Sequence, residues 1–199
     1  PIYSTPELAL IIGNLFSYLV SPKAKLILKL KEKIQLSSNI FELVFALPEG
    51  KQNNFGKLQN NKFNFKPGQY LEWTLPHIHP DSRGNRRYFT IASSPTENEI
   101  KLGIRFQKDQ SSSFKKALVS MQKDDQIIAS QLSGTFNLPQ DLNKKLVFIA
   151  GGIGITPFKS MIQYLLDLNQ KLDIILFYAS TNAEDFAYKN IFETAEKKL

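Results

Sequence analysis

The apolar run Leu146-Val147-Phe148-Ile149-Ala150 leads directly into Gly151-Gly152-Ile153-Gly154-Ile155-Thr156-Pro157, and that junction constrains the chain more than any other feature. A short apolar run bounded by glycine reads as a buried strand. The glycines permit positive φ and leave the main chain uncovered, while Pro157 stands where a helix accepts proline, in its first turn. A strand, a bare turn and a helix N-terminus together let a dinucleotide pyrophosphate approach main-chain N–H groups. A turn required only for helix–sheet packing would also use glycine. Downstream the pattern predicts a helix over Pro157–Leu168, a strand over Leu172–Tyr178 and a helix over Ala183–Lys198, a parallel βαβα beginning. Two strands are too few for a doubly wound sheet, so this unit is expected to be cut short at Leu199.

Upstream the texture is strands and turns. Lys25–Ile34 alternates with period two, and Ile40–Leu47 follows and stops at Pro48. Gln52–Asn64 is a polar loop. Lys66-Pro67-Gly68-Gln69 is a turn that launches Tyr70–Leu75. Arg87–Ser93, Ile100–Phe106 and Gln126–Gln131 complete six predicted strands, with one short helix near Ser113–Met121. That set suits a small antiparallel barrel. Arg87-Tyr88-Phe89-Thr90-Ile91-Ala92-Ser93-Ser94-Pro95 puts an arginine, aromatics and a hydroxyl on one strand. An ordinary strand with aromatic and β-branched residues facing a core is the local alternative.

Composition removes several classes of function. With no cysteine in the chain, a disulfide scaffold, a thiolate zinc site and a cysteine-bound iron–sulfur cluster are excluded within it. The net charge of +7 comes from lysines scattered through every segment, not from one basic aromatic stripe, so nucleic acid is not the expected partner. Arginine behaves differently: all four (Arg83, Arg86, Arg87, Arg105) fall in one short window. A guanidinium grips phosphate through two parallel hydrogen bonds, which lysine cannot do. His77 and His79 lie in the loop before Asp81-Ser82-Arg83-Gly84, which reads as a loop and not as a completed metal set. No Gly-x-Ser-x-Gly elbow marks a serine nucleophile.

The N-terminal stretch is apolar from Glu7 to Val20 and is followed by Ser21-Pro22 and by Lys23, Lys25, Lys29, Lys31 and Lys33. It is shorter than the ~20 residues a spanning helix needs, yet the basic flank fits the cytoplasmic side of a membrane helix. A buried or interfacial helix is the alternative. Residues 1–22 are therefore expected to be the end of a membrane or interfacial helix, 23–142 a barrel domain and 143–199 an incomplete nucleotide-binding domain.

The two motifs, in this order, resemble those of the ferredoxin–NADP reductase family from about residue 25 to the end. The resemblance implies a six-stranded antiparallel Greek-key FAD-binding barrel followed by a truncated parallel βαβα NAD(P)-binding domain. It implies that Arg87 binds the flavin pyrophosphate, that Phe89 lies against the isoalloxazine ring beside Tyr88, and that Thr90, the candidate catalytic residue, donates a hydrogen bond near the reactive nitrogen. Ser93 fixes that motif. Ser112 and Ser113, opening the predicted barrel helix, would cap the flavin phosphates, though the family's usual glycine is missing there. Gly134 and Thr135 would lie against the flavin. Gly151, Gly152, Gly154, Thr156 and Pro157 would hold NAD(P)H. Ser180-Thr181-Asn182 offers no arginine for a 2′-phosphate, which leans toward NADH. Thr5-Pro6-Glu7-Leu8-Ala9-Leu10 and Gly13-Asn14-Leu15-Phe16 resemble the last helix of the D-type membrane component of Rnf-type ion-translocating electron-transport complexes. The expected function is hydride transfer between NAD(P)H and FAD, then electron transfer with ferredoxin or another redox protein or subunit, within a membrane complex on the cytoplasmic face. A flavin-binding relay or regulatory subunit without NADH oxidation is the alternative, and a cofactor-free assembly barrel a third.

Overall fold

The computed structural model describes residues 25–47, 63–141 and 143–199. The predicted membrane segment 1–22 and nearly all of the loop Gln52–Asn64 lie outside them. Six strands form the first sheet: β1 Lys25–Gln35, β2 Ile40–Ala46, β3 Tyr70–Thr74, β4 Arg86–Thr90, β5 Glu99–Arg105 and β6 Gln126–Ser133. Their order is β4-β3-β6-β1-β2-β5. Every pairing is antiparallel.

Alternation in β1 decides which face turns inward: Leu26, Leu28 and Leu30 are buried while Lys25, Lys29 and Lys31 are exposed. The sheet rolls until its edges approach. Just past β4, the Ala92 amide donates to the Lys101 carbonyl of β5 at 2.8 Å. The barrel closes around Trp73, whose ring lies 5.3 Å from that of Phe45. Helix α1 (Ser113–Ser120) plugs one end with Phe114 and Leu118, and its N-cap Ser112 accepts from the Lys115 amide.

The second unit pairs β7 (Leu146–Gly151) with β8 (Ile174–Ala179) in parallel. Helix α2 (Thr156–Leu168) packs Phe158, Met161, Ile162 and Leu165 into the core that holds Phe148 and Ala150. It ends where Asn169 takes left-handed φ 51°.

The C-terminal helix departs from expectation. Ala183–Asp185 is a 3-10 turn, Tyr188 has φ 62°, and α3 covers only Lys189–Lys198. The barrel explains the break. Asp185 accepts from Ser37 Oγ at 2.9 Å and Asn39 Nδ2 at 3.3 Å, and Tyr188 is buried. A continuous helix could not make both contacts.

The same interface fixes α2. Ser160 Oγ donates to the Ser93 carbonyl at 2.6 Å, Lys159 Nζ donates to Glu97 at 3.3 Å, and Thr96 bonds Asp167. Gly103 of β5 has no room for a side chain, since a Cβ there would lie 2.7 Å from both Thr156 Cγ2 and the Tyr188 hydroxyl. The two units are therefore packed closely, with α2 seated on the barrel.

Candidate cofactor site

Edge strand β4 carries residues on both faces. Tyr70 pairs with Thr90, Glu72 with Tyr88 and Thr74 with Arg86, while Leu71 and Trp73 pair with Phe89 and Arg87. Residues that pair directly share a face. Thr90 and Tyr88 thus stand on the outer face, and Phe89 and Arg87 turn toward the core side. Phe89 packs on Phe114, ring centroids 5.9 Å apart.

Arg87, Phe89 and Tyr88 border a cavity of about 390 Å³ with Arg83, Arg105 and Lys115. Four cations line it and no carboxylate does. Ser111, Ser112, Gln107 and Gln110 supply its polar wall. Burial first, then the charges of Arg83 and Arg105, pull Lys115 below the ordinary lysine range. The side-chain Nε atoms of Arg87 and Arg105 are buried with no hydrogen-bond partner. A cavity lined by four cations and no carboxylate fits a diphosphate.

Arg87 is held harder than expected. Its NH1 donates to the carbonyl oxygens of Arg83, Gly84 and Arg86 at 2.9, 3.0 and 2.6 Å, and NH2 donates to Asp81 at 2.6 Å. Burial would raise Asp81, but hydrogen bonds from the Arg83 amide and Arg87 outweigh it and hold the carboxyl below its usual range. The terminal nitrogens of Arg87 thus organise the Asp81–Gly84 turn, and its charge stands beside the cavity.

Tyr88 also borders a second hollow, about 330 Å³, with Tyr70 and Thr90. The rings of Tyr70 and Tyr88 meet edge to face at 5.7 Å. A flat ring laid along the free edge of β4 would meet Phe89 on one side and Tyr88 and Thr90 on the other.

The serines separate. Ser112 borders the basic cavity. Ser113 Oγ instead accepts from the Asp81 amide at 2.9 Å and lies 3.0 Å from His77 Nε2, bracing the loop before β4. Ser93 is fully buried, its hydroxyl accepting from the Lys101 amide at 3.2 Å, so it braces β5 and does not face a ligand. Gly134 has φ 117°, and a Cβ there would lie 3.2 Å from the Tyr70 ring; Thr135 beside it is exposed. His77 Nδ1 lies 2.8 Å from the Leu75 carbonyl oxygen. Among the described residues no cluster of three or more His, Cys, Asp or Glu could hold a metal.

The glycine turn forms a 3-10 segment, Gly152–Ile155, ahead of α2, with Pro157 in the helix's first turn. A Cβ at Gly151 or Gly154 would meet nothing within 4 Å. This is an uncovered main-chain shelf at a helix N-terminus. Thr156 is buried, and its hydroxyl donates to the Ile153 carbonyl at 3.2 Å. Gly152 has φ 50°, and a Cβ there would lie 3.9 Å from Arg105 NH1. Shelf and basic cavity are therefore neighbours, with Arg105 between them. The arginine window contained Arg105, but only the fold shows its place. Lys115, Gln107 and Tyr70 carried no motif of their own.

Residues 148–199 match the family described as "Oxidoreductase NAD-binding domain". The fold is that of ferredoxin–NADP+ reductase. The enzyme of that name from Plasmodium falciparum superposes with TM-score 0.70 at 23% identity, covering 88% of this chain and 66% of that one. The flavohemoglobin of Malassezia yamatoensis, solved with bound FAD and heme, gives 0.69 at 17% identity, covering 97% and 48%. Over 134 residues the chain is 30% identical to a flavohemoprotein of Candida albicans, covering 66% of this chain and 32% of that protein. The chain spans about a third to a half of the length of the curated relatives it matches.

Proposed function

We propose that this chain is a flavin-dependent oxidoreductase module that transfers a hydride between NAD(P)H and FAD and exchanges electrons with a redox partner. The observation that carries the reading is the position of Arg105, which borders the basic cavity and stands beside the Gly152 shelf. One cation thus adjoins both surfaces proposed to hold phosphate, which seats two dinucleotides as neighbours. Bound FAD would supply the hydride-accepting ring. The chain's own residues perform the rest: Arg87, Arg105 and Lys115 neutralise phosphate, Phe89, Tyr88 and Tyr70 flank a flat ring, and Thr90 presents a hydroxyl at its edge. Gly151–Gly154 and the N-terminus of α2 receive the nicotinamide dinucleotide pyrophosphate.

The lack of arginine in Ser180-Thr181-Asn182 favours NADH. The names of the similar proteins, a ferredoxin reductase and heme-containing flavohemoproteins, support an iron-containing electron partner. The basic flank that follows residues 1–22 supports a place on the cytoplasmic face of a membrane complex. Among the described residues no helix is long and apolar enough to cross a membrane. The test is direct. Purified protein loaded with FAD should be yellow, and anaerobic NADH should bleach it; a colourless protein after FAD incubation, or a yellow one indifferent to NADH and NADPH, sinks the reading.

A further inference from the structure

The outer face of β3 and β4 holds a carboxylate that the motifs do not account for. Glu72 sits opposite Tyr88 in the ladder and is only 5% exposed. Burying a charge there is costly unless it is paired. It is paired on both oxygens: Oε2 accepts from the Tyr88 hydroxyl at 2.9 Å, and Oε1 accepts from Ser130 Oγ at 3.3 Å with the Arg86 guanidinium 3.9 Å away. Tyr88, by contrast, is 58% exposed. Its hydroxyl is tied down by Glu72 and its ring is braced edge-on against Tyr70. The hydrogen bond to Glu72 first, then burial and that carboxylate's charge, push the phenol above its ordinary range, so it remains a donor. The chain thus presents a fixed aromatic side chain beside Thr90, with a buried negative charge one phenol length behind it.

We propose that Glu72 is a positioning residue for the flavin ring, locking Tyr88 as a fixed wall of the ring slot and opposing, by its charge, the negative charge the ring gains on reduction. The inference rests on the flavin-binding reading above. Hydride transfer from NADH delivers two electrons and one proton to the ring, so the ring's charge falls by one unit while the nicotinamide becomes cationic. A like charge fixed behind the ring wall disfavours that state by a few-fold in the equilibrium constant, the Arg86 guanidinium offsetting part of its field.

Two variants of the FAD-loaded full chain separate the roles. Glu72→Gln keeps shape and an acceptor for Tyr88 but removes the charge. Tyr88→Phe keeps the ring but removes the tie. The flavin's reduced-to-oxidised ratio is read at equilibrium with a reference dye, together with FAD affinity and the visible circular dichroism of the bound flavin. Glu72→Gln is expected to raise the ratio about threefold or more at fixed potential, with affinity nearly unchanged. Tyr88→Phe is expected to alter the visible dichroism and weaken FAD binding several-fold. Wild-type ratio, dichroism and affinity in both variants overturn the proposal while leaving flavin binding intact. A wild-type chain that takes up no FAD overturns both readings. If Glu72→Gln fails to fold, Tyr88→Phe decides through dichroism and FAD affinity, because it removes one hydrogen bond to Glu72 and leaves the ring and the apolar core in place.

Discussion

The Arg105 guanidinium on β5 stands 3.8 Å from the Asp185 carboxylate that precedes α3. The Ser37 hydroxyl first, opposed by burial and helped by Asn39 and Arg105, holds Asp185 below the usual aspartate range. The ion pair thus anchors Arg105 at the junction of cavity and shelf. Replacing Arg105 by Ala should weaken both FAD and NADH binding, each by about tenfold or more, the scale of a charge-assisted hydrogen bond. Fluorescence titration reads the first and the NADH dependence of flavin bleaching the second. A loss confined to one ligand would show that Arg105 does not serve both.

Arg87→Ala should weaken FAD binding by about 1.5–3 kcal/mol. It should also loosen the Asp81–Gly84 turn that the guanidinium braces. Arg87→Lys should restore part of the affinity, because the charge returns without the fork. Equal affinity in wild type and the alanine variant would remove Arg87 from the site.

Gly152 and Gly154 make different demands. Gly152→Val forces a β-branched residue to φ 50° and should cost about 1–2 kcal/mol of stability as well as nucleotide affinity. Gly154→Ala adds a methyl group into open space. It should leave the melting temperature and FAD content nearly unchanged while weakening NADH binding. Normal bleaching kinetics in Gly154→Ala would make the turn purely structural.

Lys115 gives the FAD site a pH dependence. Its pKa is lowered by burial and by two arginines, and a bound diphosphate would raise it again. FAD affinity should therefore fall as pH rises through the lowered lysine value, because the cation is lost. Lys115→Met should bind more weakly at neutral pH and show a flatter profile. Titrations across the alkaline range check this.

Glu97 sets acid sensitivity at the contact between α2 and the barrel. Burial would raise its pKa, but Lys159 and Lys101 overcome that and lower it. A lowered carboxyl contributes stability above its unfolded pKa, and that stability is lost as pH falls through the folded value. Melting temperature should drop from about pH 5 downward, and Glu97→Gln should blunt that drop. The variant should be less stable at neutral pH by about 3 kcal/mol, since it leaves the buried Lys159 without its partner. A wild-type melting profile in Glu97→Gln would deny the contact any role.

Residues 1–22 should confer vesicle association on the full chain, and a version starting at Lys23 should lose it. Equal flotation of the two would disfavour the membrane reading.

Strand and turn chemistry was readable from the sequence because it is local. Period-two alternation in β1 and the glycine run before α2 depend on neighbours within a few residues, and both stand where expected. Long-range contacts were not readable. Apolar periodicity through Ala183–Lys198 predicts one helix, but Asp185 is drawn to Ser37 and Asn39, almost 150 residues away. Ser93 belongs to a motif that resembles a flavin strand, and the fold uses it as a brace between β5 and α2. Glu72 offered no signal at all, because its importance lies in what stands opposite it in the ladder.

The seating of α2 has a mechanical consequence. The helix begins at the glycine shelf, and Lys159, Ser160 and Asp167 anchor its length to the barrel. The shelf is therefore tied through α2 to the barrel, coupling the surface that would grip the nicotinamide dinucleotide to the strand that would grip the flavin. On the proposed reading, the spacing of the two binding surfaces is set when the chain folds, before either ligand arrives. If the chain transfers hydride as proposed, alignment depends on the stability of one helix, and conditions that loosen α2 should slow flavin bleaching by NADH before they release FAD.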